Sequence, residues 1–182
     1  MYKKMVVILD CCIGCHACEI ACRQEHDLVY ETGSKWCNVM TIKPRFVQNQ
    51  LHLDFFPIMC IHCSDPLCVK ICPMEAVIQR EDGIVIVDGK KCNGCKLCVY
   101  ACPFGAMFFN EVTRVANKCN FCLERLEYGI EPSCVQHCIG GALRFTTQDD
   151  LEKITQGKHS ISLGKVCYVS SKWRLCSIVS FR

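Results

Sequence analysis

The sequence has no long apolar run. No stretch reaches the roughly 18 consecutive apolar residues that a membrane-spanning helix needs, so we expect no transmembrane segment. Near the start only Met5 to Leu9 is apolar, which is too short for the core of a secretory signal peptide. These two absences predict a cytoplasmic protein. The alternative is a periplasmic protein that is exported already folded on a partner carrying its own signal.

The residues also lack the features of two common functional classes. The net charge is only +3, from 21 Lys and Arg against 18 Asp and Glu. Because no basic stripe is visible, we expect no nucleic-acid partner. The sequence has no glycine-rich phosphate loop and no nucleophile motif. We therefore expect that this chain is not itself an enzyme.

Cysteine is the residue present in excess, with 20 among 182 positions. Such a density is otherwise typical of short secreted proteins that are held together by disulfides. Here most cysteines stand in C-x2-C clusters rather than in spread pairs. Clustered cysteines indicate metal binding in a reducing compartment, which we interpret as the cytosol of an anaerobic cell.

The stretch 91–103 reads K-C-N-G-C-K-L-C-V-Y-A-C-P, the C-x2-C-x2-C-x3-C-P pattern of bacterial ferredoxins. Its first three cysteines predict three thiolates on one iron–sulfur cubane. We expect the fourth cysteine to begin a short helix that leads to a second cluster. Gly94 lets the backbone pass close to inorganic sulfur because glycine has no Cβ, and Pro103 turns the chain back.

Three other parts of the chain carry related runs, so the sequence is internally repeated. Arg23 and Ile139 replace the final proline in the first and last of them. Sixteen cysteines are enough for four 4Fe-4S clusters at four thiolates each. The runs are Cys12-x2-Cys15-x2-Cys18-x3-Cys22, Cys60-x2-Cys63-x4-Cys68-x3-Cys72, Cys92-x2-Cys95-x2-Cys98-x3-Cys102 and Cys119-x2-Cys122-x11-Cys134-x3-Cys138.

In two-cluster ferredoxins the fourth cysteine of each run binds the cluster of the other run. The two middle runs are neighbours and are predicted to pair in this way, which leaves the two outer runs to pair with each other. All sixteen cysteines are then iron ligands. The predicted ligand sets are Cys12, Cys15, Cys18 and Cys138 (first set); Cys119, Cys122, Cys134 and Cys22 (second set); Cys60, Cys63, Cys68 and Cys102 (third set); and Cys92, Cys95, Cys98 and Cys72 (fourth set).

Zinc is the alternative metal, because four-cysteine zinc sites are also built from C-x2-C pairs. Structural zinc usually takes two separate pairs, and a continuous run with a trailing cysteine differs from that pattern. A single site that holds zinc or a 3Fe-4S cluster stays open as a variant of the prediction.

This pairing predicts an α+β fold of two bacterial-ferredoxin-like modules, one inserted in the other. The outer module comprises residues 1–45 and 113–156, the inserted module residues 46–112, and a tail residues 157–182. Small strand pairs and short helices are expected around the clusters. The predicted strands are Tyr2–Leu9, Asn38–Lys43, Leu51–Ile58, Ala76–Arg80, Ile84–Asp88, Ala106–Asn110, Thr113–Ala116 and Ala142–Thr146.

Several local features complete this prediction. Pro44 limits its strand to an edge or a strand end. The insertion 123–133 contains one or two helical turns, and a helix begins after Thr147 and continues to about Lys153. The tail from residue 160 favours β structure and has no predicted role.

The remaining candidate residues receive modest roles. His62 and His137 are expected beside a cluster or at the surface, and Tyr100 and Phe104 are expected to shield clusters from water. The four cysteines outside the ligand sets are expected to be ordinary thiols that pack as small apolar groups. They are Cys11, Cys37, Cys167 and Cys176.

Over residues 4–156, the order and spacing of the runs resemble the four-cluster ferredoxin-type subunits of molybdenum and tungsten pterin oxidoreductases. That family includes subunits of DMSO reductase, formate dehydrogenase, polysulfide reductase and formate hydrogenlyase. The short chain is also similar to small subunits of cytoplasmic tungsten enzymes, such as aldehyde oxidoreductase and benzoyl-CoA reductase.

The resemblance implies an electron-transfer subunit with four 4Fe-4S clusters. Its partners would be a large catalytic subunit with a tungsten or molybdenum pterin cofactor and a further redox subunit or ferredoxin. The outer-run half would face the catalytic subunit. The alternatives are a free polyferredoxin shuttle, for which we would expect a strongly acidic surface, and an iron–sulfur redox sensor or zinc-stabilised module.

Overall fold

The computed structural model describes residues 3–28, 34–47 and 49–172. Their architecture is a small mixed α/β fold of short helices and small strand pairs beside one larger sheet, in agreement with the predicted mixture of short elements. None of the helices in these residues is both long and apolar enough to cross a membrane. The predictions for Tyr2, for Cys176 and for the tail beyond Lys172 lie outside the described residues.

Strand β1 (Lys4–Ile8) lies inside the larger sheet, and its Val and Ile side chains favour extended backbone. The order of the four strands is β8–β1–β10–β9. Strand β1 pairs antiparallel with β8 (Leu143–Thr146) and parallel with β10 (Val166–Ser170). Strand β9 (His159–Leu163) pairs antiparallel with β10 and forms the edge of the sheet.

The two faces of this sheet pack against different parts of the protein, because successive side chains of a strand point to opposite faces. Val6 and Ile8 belong to an apolar cluster with helix α6 (Gln148–Thr155), which covers one face. Met5 and Val7 belong to the main core, which also contains many of the run cysteines. Since each fully buried Val or Ile stabilises the fold by about 1.5–3 kcal/mol, the sheet is the apolar support for the cysteine loops.

Helix α6 begins where the sequence predicts it. Thr147 precedes it in extended conformation, and the Thr147 hydroxyl lies 3.3 Å from a carboxylate oxygen of Asp150 in the first turn. The helix ends at Thr155, two residues beyond the predicted Lys153.

The predicted small strand pairs are present as three hairpins. Strand β2 continues through Pro44, with an irregular register between Ile42 and Arg45, so its predicted end at Lys43 is wrong. Because both strands of a two-stranded ribbon are edges, a proline without an N–H is tolerated there. The hairpins are β2 (Cys37–Val47) with β3 (Gln50–Met59), β4 (Val77–Gln79) with β5 (Val85–Val87), and β6 (Phe108–Asn110) with β7 (Val115–Asn117).

The other α-helices of the described residues are short, and their packing groups the runs. Helix α1 packs against α5, so the first run lies beside the fourth, and α2 packs against α3, so the second lies beside the third. Helix α4 supplies the predicted turns in the insertion. The helices are α1 (Ala17–Glu25), α2 (Leu67–Lys70), α3 (Leu97–Ala101), α4 (Leu123–Glu127) and α5 (Ser133–Gln136).

The expectation that the fourth cysteine of a run begins a helix is wrong. In the third run, Cys98 lies in the first turn of α3 and Cys102 directly follows its end. A separation of four residues is about one helical turn, or roughly 5–6 Å along the axis. The helix therefore places its third cysteine at one end and its fourth at the other.

The tail hairpin is part of the support for the second cysteine run. Its turn residue Gly164 has a φ of +53°, and a Cβ there would clash with the carbonyl oxygens of Ile61 and His62. The next residue, Lys165, donates its backbone N–H to the Ile61 carbonyl at 2.7 Å. The strands that had no predicted role therefore position the loop that carries Cys60 and Cys63.

We expect Gly164→Ala to destabilise the protein by about 1–3 kcal/mol, because the substitution adds a backbone clash to an unfavourable φ. The matched control is Gly157→Ala, at a φ of +72° with no atom within 4 Å of the added Cβ. Thermal melting with iron release as the readout compares the two variants. Equal melting temperatures would show that the close approach of Gly164 is unimportant.

Candidate metal centres

Each cysteine run makes a left-handed turn directly before its second cysteine. The residues there are Gly14, His62, Gly94 and Phe121, with φ of 67°, 47°, 75° and 59°. Left-handed turns point successive backbone N–H groups into one concavity, as in many anion and iron–sulfur sites. The sequence indicates the turn only at the two glycines. For His62 and Phe121 this conformation costs about 1–3 kcal/mol each, so the surrounding fold must hold them in it.

Two of the predicted ligand sets surround pockets. All four cysteines of the first set line one pocket, with Cys11 also in its wall. All four cysteines of the fourth set line another, beside Asn93 and Lys96. In each case three cysteines of one run and the last cysteine of the paired run share the same pocket.

In the other two sets, one cysteine has a pKa that is raised by the three other cysteines of its set, which indicates that the four side chains are neighbours. Burial raises the pKa of Cys134, and the other three cysteines of the second set raise it further. Burial also raises the pKa of Cys68 to about 11, and the other three cysteines of the third set act in the same direction. The structure thus brings the members of every predicted set together, and their ligation of iron stays a prediction.

The buried thiols fit a cationic group. Burial raises the pKa of Cys98 to about 11 and that of Cys119 to about 12, because a thiolate without water or a counter-charge is unfavourable. Metal binding deprotonates such thiols and compensates their charge. The described residues contain no group of three or more His, Cys, Asp or Glu side chains placed to hold a single metal ion. The cysteines of the first and fourth sets surround pockets instead.

Backbone N–H groups point at several of these sulfur atoms. The N–H groups of Ala76 and Ala106 lie 3.3 Å from the Sγ of Cys72 and Cys102, each four residues earlier. The Leu143 N–H makes a similar contact with Cys138 at 3.4 Å. Hydrogen bonds to ligand sulfur stabilise its negative charge and are one determinant of iron–sulfur potentials.

His62 provides a second observation that fits a cluster. Its Nδ1 accepts a hydrogen bond from the Val85 N–H at 2.9 Å, so the proton of the neutral ring is on Nε2. Burial, together with Lys118 and Lys165, lowers its pKa well below the usual range. The buried Nε2 has no hydrogen-bond partner among the described residues, which costs about 1–3 kcal/mol. Because His62 lies between Cys60 and Cys63, a sulfur atom of a bound cluster is a suitable acceptor.

His26 is a further contact that no spacing pattern predicts. Its Nε2 lies 3.1 Å from the Sγ of Cys122, 96 residues away in sequence. The ring packs on Trp36, with centroids 4.5 Å apart, and the Trp36 indole N–H donates to Asn117 at 2.8 Å. His26 is therefore held in position to donate to a sulfur of the second set.

Cys37 is more than the small apolar group that we expected. It is 3% exposed at the first position of β2. Its thiol donates a hydrogen bond to Cys18, which lowers the pKa of Cys18 and raises that of Cys37. The backbone N–H of Cys37 opposes the rise that burial causes in the pKa of Cys22. One residue thus contacts a cysteine of the first set and a cysteine of the second.

The aromatic residues predicted to shield clusters do not do so. Tyr100 is 81% exposed and Phe104 is 48% exposed, because their positions on and after α3 face solvent. His137 is exposed, in agreement with a surface role. Cys167 packs inside the sheet as an ordinary thiol, as expected.

Comparison with known proteins agrees with this site. The family model of the 4Fe-4S dicluster domain matches residues 51–148. One subunit of the tetrathionate reductase of Salmonella typhimurium is 43% identical over 138 residues, which cover 76% of this chain and 55% of that protein. The thiosulfate reductase electron transfer subunit PhsB of Salmonella typhi is 42% identical (78% and 73% covered). One subunit of the anaerobic dimethyl sulfoxide reductase of Escherichia coli is 39% identical (78% and 72% covered).

Repeated left-handed turns with cysteines grouped in fours define an iron–sulfur protein. The matches specify it further: this protein belongs to the 4Fe-4S dicluster family of iron–sulfur electron-transfer subunits of reductases. It is an electron-transfer subunit with several 4Fe-4S clusters rather than a catalytic subunit. It spans about half the length of the tetrathionate reductase subunit and nearly three quarters of the other two relatives.

We expect Cys37→Ala to lower the reduction potential of the cluster predicted for the first set, because the sulfur of Cys18 loses a hydrogen-bond donor. A net hydrogen bond of about 0.5–1.5 kcal/mol corresponds to roughly 20–60 mV for one electron. A redox titration followed by electron paramagnetic resonance (EPR) measures the shift. The control is Cys167→Ala, which removes an equally buried thiol outside the sets. An identical response of the two variants would contradict a specific role for Cys37.

Proposed function

We propose that this chain relays single electrons through four 4Fe-4S clusters, between a molybdenum- or tungsten-pterin catalytic subunit and another redox partner. The observation that carries the proposal is the grouping of sixteen cysteines into four sets of four. In this proposal all sixteen are iron ligands, set by set, as the spacing predicts. Each bound cluster supplies a reversible one-electron change, and no cysteine is missing from a run to leave an iron open to substrate.

Electrostatic interactions between cysteines of different sets support a linear order. Cys134 of the second set interacts with Cys18 of the first. Cys119 of the second set interacts with Cys60 of the third, and Cys98 of the fourth set interacts with Cys68 of the third. The proposed path therefore passes from the first set through the second and third to the fourth.

The packing of the helices supports the proposal of two modules. Helix α1 lies on α5, and α2 lies on α3, so the outer runs contact each other and the inner runs contact each other. In this proposal residues 46–112 form the inserted module, residues 1–45 and 113–156 form the outer one, and residues 157–182 form the tail. The described part of that tail joins the sheet of β1.

Exposed apolar side chains at the two ends of the path support two partners. Ile13 and Ile139, beside cysteines of the first set, are 60% and 78% exposed. Leu97 and Tyr100, beside the fourth set, are 43% and 81% exposed. In the proposed complex the first pair contacts the catalytic subunit and the second pair contacts the electron acceptor or donor. The named relatives are subunits of tetrathionate, thiosulfate and dimethyl sulfoxide reductases, which supports a large reductase subunit as the partner.

The protein's own residues perform three tasks in this function. The thiolates bind iron, the backbone N–H groups of the left-handed turns and of residues such as Ala76 and Ala106 stabilise negative charge, and burial keeps water away from the second set. A cytoplasmic location remains part of the proposal, because a reducing compartment preserves the thiols for cluster assembly.

Cys138→Ser tests the pairing of the outer runs. We expect the EPR signal of one cluster to be lost or altered and the signals of the inner pair to be retained, because Cys138 shares its pocket only with the first set. The control is Cys11→Ser, which changes another thiol in the wall of the same pocket and should leave all signals intact. Loss of an inner-pair signal in Cys138→Ser would contradict the pairing.

Co-purification tests the proposed partner. Anaerobic isolation of the tagged chain from its native cell should recover a large protein that contains molybdenum or tungsten, in a fixed ratio to the chain. Ile139→Asp should reduce that recovery several-fold, because a charge would be buried at the apolar end of the path. Tyr128→Asp is the control, since Tyr128 is equally exposed but follows α4 and lines neither the pocket of the first set nor that of the fourth. Recovery of the chain without a companion would favour a free polyferredoxin shuttle.

A further inference from the structure

Lys118 is a buried cation at the junction of the second and third ligand sets. Lys118 is the residue directly after strand β7, and it is 3% exposed. Among the Lys and Arg residues whose burial the structure describes, Lys118 alone is buried. Its ammonium donates hydrogen bonds to the carbonyl oxygens of Val85 and Cys119, the latter at 2.9 Å. These contacts fix the charge between strand β5 and the last cysteine run.

This ammonium group acts on cysteines of two different sets. Burial raises the pKa values of Cys63 and Cys68 in the third set and of Cys119 in the second, and Lys118 opposes that shift at all three. The second and third sets are themselves neighbours through Cys119 and Cys60. Lys118 therefore lies where the outer runs meet the inner runs.

The structure also shows what does not balance this charge. Within residues 3–28, 34–47 and 49–172, no Asp or Glu carboxylate forms an ion pair with Lys118. Burying an unpaired ammonium is strongly unfavourable. The nearest negative charge on which Lys118 acts is that of the ligand thiolates in the second and third sets.

Other groups at the junction do not carry this charge. His62 packs on Phe121 with ring centroids 4.0 Å apart, and its Nδ1 accepts a hydrogen bond from the Val85 N–H, as only a neutral ring can. The ammonium of Lys165 is only partly buried and donates to the Asp82 carbonyl at 2.6 Å. Lys118 is therefore the buried positive charge at this junction.

We propose that Lys118 raises the reduction potentials of the two clusters held by the second and third sets, and thereby sets the electron affinity at the middle of the path. The inference rests on the proposed function. Its physical basis is that one extra electron on either cluster is stabilised by a nearby positive charge, and that net charge is a determinant of cluster potential. The clusters of the first and fourth sets lie at the two ends of the proposed path, away from Lys118. They serve as references within the same molecule.

The experiment is an anaerobic EPR redox titration of the full protein carrying Lys118→Met, Lys118→Gln or Lys118→Arg. In both neutral variants we expect the ratio of reduced to oxidised protein at a fixed potential to fall about tenfold for the two middle clusters, which equals about 59 mV for one electron. Lys118→Arg should retain the wild-type values. The matched surface control is Lys158→Met, at an exposed lysine beyond α6, and it should change no cluster.

Three results would overturn the inference. Unchanged midpoints in both neutral variants would show that the charge has no influence, and wild-type values in Lys118→Gln alone would show that its hydrogen bonds matter instead. Loss of the middle clusters from both neutral variants would assign Lys118 a structural role. Failure of the proposed function would be distinguishable from failure of this inference, because the wild-type protein itself would then not show the signals of four clusters.

Discussion

The structure depends on the burial of cysteine side chains. The protein itself compensates only part of the negative charge that these side chains carry as thiolates. Burial raises the pKa of one or more cysteines in every ligand set, so without metal those side chains are neutral thiols. Iron binding releases their protons and supplies the missing positive charge, which makes metal binding a contribution to folding. A chain of this size with apolar support from one four-stranded sheet and short hairpins needs such a contribution.

The four cysteine runs share one local backbone structure, and they differ in the polar groups that surround it. Each run has the same left-handed turn, and each ends near a short helix that separates its third and fourth cysteines. The polar groups beyond the turns differ: His26 reaches the second set, Cys37 reaches the first and second, and Lys118 reaches the second and third. Four sites with similar ligands thereby acquire different electrostatic environments, which is how one chain can give its clusters different potentials.

Cysteine spacing was sufficient to propose the membership of four sets, because ligand spacing is a local property and the runs are repeats. The β-favouring segments between the runs predicted the short strand pairs. The contacts that distinguish the sets were not predictable in this way. His26 meets Cys122 from 96 positions away, and a buried lysine is indistinguishable from a surface lysine in a balanced sequence. The contribution of β9 and β10 was missed for a similar reason, since strand pairing with β1 is a long-range event. Exposure of Tyr100 was mispredicted because an aromatic residue beside a ligand gives no indication of its direction on a helix.

The iron and acid-labile sulfide content of the anaerobically purified chain distinguishes a four-cluster path from its alternatives. We expect about 16 iron and about 16 sulfide per chain, from four irons and four sulfides in each of four cubanes. About 12 iron with one zinc would show that one set is structural and that the path has three clusters. Zinc without sulfide would contradict electron transfer by this chain altogether.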